Sequence, residues 1–140
     1  MAEPSPEIEQ VLRDTLDELA RSDVEGIGRR TSRDPCVVGI GSDPAEWAEG
    51  YDNLMRVWGE STPDAELGVK VGLDDVKGFS EGSVGWAAGR GYFEMGEQRV
   101  PVRMTAVLHQ EDGEWKAVQM HASIGVPNDR MLDPMFQGGA

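Results

Sequence analysis

The feature that most constrains this chain is a change of period near its midpoint. Before residue 60 the apolar residues recur every third or fourth position; from Leu67 to Ile124 they largely alternate. The first spacing lays a stripe along one side of a helix, and the second puts one face of a strand on a core. Residues 6 to 21 carry Ile8, Val11, Leu12, Leu16 and Leu19 and predict an amphipathic helix, with Ser5 as N-cap and Pro6 at the first helical position. Ser22-Asp23-Val24-Glu25 has capping-box spacing and predicts a second, short helix that ends near Gly28. Arg33-Asp34-Pro35 punctuates the chain. Cys36 to Ile40 then reads as a short buried strand, with Cys36 as one of its buried residues. Asp43-Pro44-Ala45-Glu46 repeats the helix-start pattern and predicts a third helix to Trp58, stopped by Gly59. Trp47, Tyr51, Leu54, Met55 and Trp58 would share one face of it.

Beyond that point the texture is that of strands. Leu67, Val69, Val71 and Leu73 alternate with Gly68, Lys70 and Gly72, and the segments 83–95, 99–110 and 115–124 follow as three more strands. Glu111-Asp112-Gly113 is a strong hairpin turn and Gly96-Glu97 a weaker one. A two-residue turn at Asp112 would put Arg103, Thr105, Val107 and His109 on the face of Val118, Met120 and Ala122. A three-residue turn with a bulge would swap in Met104, Ala106 and Leu108. Both registers are open at this level. Helices first and an antiparallel meander after them make an α+β chain, because a parallel sheet would interleave its helices. Glycines at 82, 85, 89 and 91 suit a sheet curved around those helices.

Composition narrows the function. The 140 residues suit one domain, expected over 1–127 with an irregular tail over 128–140. Lys and Arg number 13 against 26 Asp and Glu, a net charge of −13 that repels phosphate backbones and anionic lipid. Nucleic-acid and membrane partners are therefore not expected, and no apolar run approaches the roughly 18 residues of a membrane span. The first residues have neither a basic start nor an apolar stretch, so no secretion signal is read and a cytoplasmic location is expected. The single Cys36 makes no internal disulfide and no thiolate metal cluster.

The order of elements, with Glu46-Trp47-Ala48-Glu49-Gly50-Tyr51, Gly82-Ser-Val-Gly-Trp86 and Trp115-Lys-Ala-Val-Gln-Met-His121-Ala-Ser123, resembles the nuclear-transport-factor-2-like superfamily. The likeness covers about residues 6 to 127 and is greatest to its SnoaL-like and ketosteroid-isomerase-like members. It implies an α+β cone, a cystatin-like roll with N-terminal helices packed in a curved, mostly antiparallel sheet and a cavity inside. It also implies a homodimer through the open sheet face. The final strand is apolar on both faces to a large degree, which fits a covered outer face. Members of this family include ligand binders, enzymes and modules fused to signalling proteins, so the fold does not settle the function.

The isomerase residues do not carry over. The family's base carboxylate would fall near Gly39, its tyrosine donor in a first helix that here has no tyrosine, and its acid donor on a strand offering Arg103, Thr105 and Val107. His109 and His121 are the weak catalytic candidates, as general acid or base in a cavity. Their blander roles are a solvated strand end for His109 and a sheet or dimer contact for His121. Two histidines 12 residues apart make no metal site, and no cofactor is expected.

The ligand candidates are Trp47, Tyr51, Met55, Trp58, Trp86, Arg90, Arg103 and Met120. Trp86, Ala88, Arg90 and Tyr92 alternate on one strand, and their face would look into the cavity. An arginine beside a buried tryptophan needs a carboxylate, a ligand anion or water: either Arg90 and Arg103 take an acidic headgroup while the aromatics enclose an apolar body, or they are sheet-edge residues paired with a surface Glu. The preferred expectation is thus a binding or sensory module for a small, acidic organic ligand held in an internal cone cavity. Its rivals are an isomerase, cyclase or dehydratase on a polycyclic or polyketide-like substrate, and a dimerisation scaffold whose interior is filled by Trp and Met side chains.

Overall fold

In a computed structural model, residues 1–61 and 67–135 are described; the last part of the expected tail, 136–140, lies outside them. The elements are β1 (Glu3–Pro4), α1 (Pro6–Ala20), α2 (Val24–Arg29), β2 (Val38–Ile40), β3 (Trp47–Glu49), α3 (Tyr51–Ser61), β4 (Lys70–Glu81), β5 (Val84–Met95), β6 (Gln98–Glu111) and β7 (Glu114–Ser123). A 3-10 turn at Asn128–Arg130 follows. One seven-stranded sheet runs β1-β4-β5-β6-β7-β2-β3, antiparallel except where β2 lies parallel to β7. Helices lie against one of its faces and leave the other open, an α+β cone. Among the described residues no helix is long and apolar enough to cross a membrane.

Helix α1 forms as its sequence demands. Ser5 Oγ accepts from the Ile8 amide at 3.3 Å, and Ile8, Leu12 and Leu16 are buried along one stripe. The stripe seats on β5 because glycine lies beneath it: a Cβ at Gly85 would overlap Ile8 Cδ1 and stand 2.9 Å from the Phe79 carbonyl oxygen. Asp23, rather than Ser22, caps α2 by accepting from the Gly26 amide at 3.0 Å.

The third helix departs from expectation. Its capping-box residues close a hairpin loop instead: the Asp43 amide donates to Glu46 Oε1 at 3.1 Å, and the Gly41 amide to the Glu46 carbonyl at 2.7 Å. Trp47-Ala48-Glu49 then pairs with β2, and Gly50 at φ +83° turns the chain into a helix that starts only at Tyr51. The local signal for a helix start is equally a signal for a tight turn, since Asp and Glu satisfy free amides in both. Gly59 does not stop the helix, which runs on to Ser61. The strand expected from Leu67 begins at Lys70 and continues to Glu81, through a bulge between Leu73 and Asp75. Cys36 precedes the strand and is exposed, not buried.

The last hairpin combines features of both registers. Asp112 and Gly113, at φ +52° and +82°, make a two-residue turn under a Glu111–Glu114 pair. Further along, Leu108 faces Ala117 while Val107 faces Gln119, so Val118 is a bulge. The bulge brings Met104, Ala106 and Leu108 onto the core face with Ala117 and Met120. Arg103 and Thr105 are left on the open face.

Candidate functional site

The interior of the cone is filled. Leu54, Trp58, Met104, Leu108 and Met120 are each at most 4% exposed and belong to one core with Ile8, Leu12 and Leu16. Gly39, where the family's base carboxylate would fall, is buried with Leu54 and Trp58 on it; a Cβ there would overlap Leu54 Cδ1. No space remains at that position for a carboxylate and a substrate together. An enclosed void near Leu16, Leu73, Phe93 and Met104 measures about 10 Å³, room for little more than a water. Trp58 Nε1 is buried without a hydrogen-bond partner among the described residues.

The expected ligand residues separate into three places. Trp58 and Met120 are core. Trp47, Trp86, Arg90 and Arg103 lie on the open sheet face, as does His121, all exposed. The face carrying Trp86, Ala88 and Arg90 therefore looks away from the interior, opposite to the expectation. The reason is steric: Gly85 and Gly89 on the other face leave Ile8 and Leu12 of α1 their place. Trp86 stacks on Phe79 with centroids 6.2 Å apart and is 38% exposed, while Trp47 is 61% exposed.

Tyr51 and Met55 occupy the third place, on the flank of α3 facing α2. A Cβ at Gly28 would stand 2.6 Å from Tyr51 Oη and 3.2 Å from Met55 Sδ. Beside Tyr51 opens a cleft of about 510 Å³ lined by Glu25, Arg29, Thr31, Arg33, Glu111 and Lys116. The Arg33 guanidinium lies 4.1 Å over the Tyr51 ring. Lys116 Nζ donates to the Arg29 carbonyl, and Lys116 also lines a neighbouring groove with Arg30 and Trp115. These basic residues were not among the sequence candidates. Their signal was the run Arg29-Arg30-Thr31-Ser32-Arg33 in a strongly acidic chain.

Glu111 on the cleft wall belongs to a polar cluster that joins residues far apart in sequence. Ser32 Oγ donates to Glu111 Oε2 at 2.5 Å, and His109 Nε2 meets the same oxygen. The serine hydroxyl, then the histidine, hold the Glu111 carboxyl below its ordinary value. An ionised carboxylate only accepts, so Nε2 carries the proton and cannot take one from Ser32, which lies 3.3 Å away. The three residues are thus no serine nucleophile with its base. Cys36 lies nearby, its thiol pushed up by Asp34 and so poorly suited to nucleophilic work. His121 stands apart, exposed opposite Thr105. Among the described residues no group of three His, Cys, Asp or Glu is placed to hold a metal ion.

Comparison with known proteins agrees with this architecture. An NTF2-like protein of unknown function from Pseudomonas putida superposes with a TM-score of 0.77 at 17% identity, covering 88% of this chain and 87% of that one. An NTF2-like protein from Streptomyces avermitilis, provisionally called a dehydratase, gives 0.73 at 15%, covering 86% and 95%. A cystatin-like fold protein from Burkholderia xenovorans gives 0.69 at 18%, covering 91% and 100%. At such identities the likeness is one of fold. No curated protein matches the sequence. The model of the SnoaL-like domain family matches residues 8–127, nearly the whole sheet and all three helices, and the chain belongs to that family.

Proposed function

We propose that this SnoaL-like domain is a cytoplasmic binding module for a small organic acid, which it takes up in the cleft between α2, α3 and the β6–β7 hairpin, and that it works as a homodimer. The observation that carries the reading is the convergence of Arg29, Arg33 and Lys116 beside the Tyr51 ring in a cleft of about 510 Å³. The chain has twice as many acidic as basic residues, yet this cleft joins three cations to only two carboxylates. One of those, Glu111, is already engaged by Ser32 and His109, and Lys116 is paired with Glu114 at 3.2 Å, so Arg29 and Arg33 are the cations left for a ligand. A carboxylate ligand would meet guanidinium donors, and its apolar body would lie by the aromatic ring. The filled interior favours a site at the surface of the cone over one within it. Trp47 and Trp86, exposed on the open face, support pairing of two copies there.

An isomerase or dehydratase reading draws on Glu111 at the cleft wall, with His109 hydrogen-bonded to it from outside the lining. Native mass spectrometry of freshly purified protein, with release of co-purified molecules, separates the readings. A carboxylic acid released at one per subunit, together with thermal stabilisation by benzoate or indole-3-acetate that Arg33→Gln abolishes, is the expected result. A bare dimer that no aromatic carboxylate stabilises returns the domain to a scaffold. Conversion of the released acid by the wild type, lost in His109→Gln, makes it an enzyme.

A further inference from the structure

Two recesses flank the chain where it leaves α2. On one side lies the cleft beside Tyr51, and on the other a groove of about 520 Å³ between α1, the end of α2 and the β6–β7 turn. Arg29 and Lys116 line both. Lys116 is a low sill between them: its Nζ donates to the Arg29 carbonyl and stands 3.2 Å from Glu114, and its side chain is only 22% exposed. Val11 and Trp115, each half-buried against the core, give the groove an apolar wall. A Cβ at Gly85 would stand 3.4 Å from Trp115 Cζ3, so the six-membered ring is the inner end of the indole. The N–H edge, at the other end, has no hydrogen-bond partner among the described residues. The charges of the groove nearly cancel. Arg30 is held by Glu18 and Asp14, Lys116 by Glu114, and Arg29 is balanced by Glu7 on the opposite bank.

Building on the reading of the cleft as an acid site, we propose that its ligand is a long monocarboxylic acid. The carboxylate lies by Arg33 and Arg29, and a neutral, apolar tail passes over Lys116 into the groove along Trp115 and Val11. A compact acid would engage the cations and leave the apolar wall of the groove to water. A second carboxylate at the far end would meet Glu7 and Glu114 with no spare cation, which excludes a long dicarboxylate. An aryl or alkyl tail instead covers Trp115 and Val11, and an oxygen acceptor on it would take the indole N–H. The methylene stem of a lysine lying flat is itself a bed for such a tail.

Calorimetric titration of the full chain with benzoate and with 6-phenylhexanoate tests this. A fully buried methylene strengthens binding by up to about fourfold, so the added methylenes in an open groove should give the long acid an advantage of about tenfold or more. Arg33→Gln should abolish binding of both acids. Glu7 is exposed, so Glu7→Trp keeps the fold and fills the groove; it should remove the advantage and leave benzoate binding unaltered. Trp115→Ala should remove the advantage too. Tryptophan emission should shift to the blue when the long acid is added to the wild type, and not in Trp115→Phe. Benzoate bound with the long acid no tighter, or an advantage that survives both Glu7→Trp and Trp115→Ala, overturns the long ligand and leaves the cleft reading standing. Long-acid binding that survives Arg33→Gln is adsorption to exposed apolar surface and overturns it as well. If neither acid binds, the cleft reading itself fails and the long ligand with it.

Discussion

Glu18 of α1 and Arg30 after α2 form the ion pair that locks the two helices together: Nε lies 3.0 Å from Oε1, and the Glu18 side chain is only 5% exposed. The guanidinium reaches the second carboxylate oxygen at 3.2 Å and Asp14 at 3.4 Å. A buried carboxylate keeps its charge at acceptable cost only when such a partner is present. Arg30→Ala should therefore cost about 3 kcal/mol, the loss expected on stranding a buried charge. Urea unfolding would measure it. Glu18→Gln in the same background should recover part of the loss, and a double variant no better than the single one would show that the pair does not carry the effect.

Acid stability should depend on Glu111. Its folded-state carboxyl lies below its ordinary value, so the group adds stability above the unfolded value of 4.5 and loses it as pH falls through the lower, folded one. Ser32→Ala removes the largest cause of that shift. At neutral pH it should cost about 1 kcal/mol, less than the roughly 1.5–3 kcal/mol of a buried hydrogen bond to a charged group, because the carboxylate is about a third exposed. The difference between wild type and variant should shrink below pH 4.5, and melting curves at stepped pH would show it. A gap that widens with acid has the wrong sign.

Gly39 and Leu54 compete for one space. Gly39→Ala should destabilise the fold by about 1–3 kcal/mol, the usual cost of overpacking a core. Leu54→Ala alone should cost about 2–5 kcal/mol through the cavity it leaves. Combined, the two should cost clearly less than their sum, since the new methyl then enters the vacated volume. Strict additivity in a double-mutant cycle would mean that the two side chains do not meet.

Pairing of copies through the open face makes Trp86 its most sensitive position. Trp86→Lys should lower the melting temperature of the monomer only modestly, through loss of the stacking on Phe79, because the residue is 38% exposed and outside the core. It should nevertheless shift the mass in light scattering from dimer toward monomer, since it sets a charge in the apolar part of the contact. An unaltered dimer would place the interface elsewhere.

What could be read from the sequence is tied to short range. Ser5 and Pro6 start α1, Asp112-Gly113 turns the last hairpin, and both are found where local chemistry places them. Asp43-Pro44-Ala45-Glu46 carries an ambiguous signal, because its side chains satisfy amides of a tight loop as readily as those of a helix start. Because Trp47 is on β3 and not on α3, it shares no stripe with Tyr51 and lies on the open face. The site was harder still. Ser32 and Glu111 are 79 positions apart and meet only because the chain at Thr31 runs parallel to Ala117 on β7.

By itself the sequence determined the helices that are stapled by local caps, the antiparallel meander, the acidic surface and the family, all of which depend on patterns within a few residues or on the order of elements. Tertiary structure alone decided which faces look inward. A bulge at Val118 and the close approach of Ile8 to Gly85 settle whether Arg103 or Met104, Trp86 or Ala87, meets the core. A strand shows two faces that alternate identically in sequence, and only packing against a distant element distinguishes them.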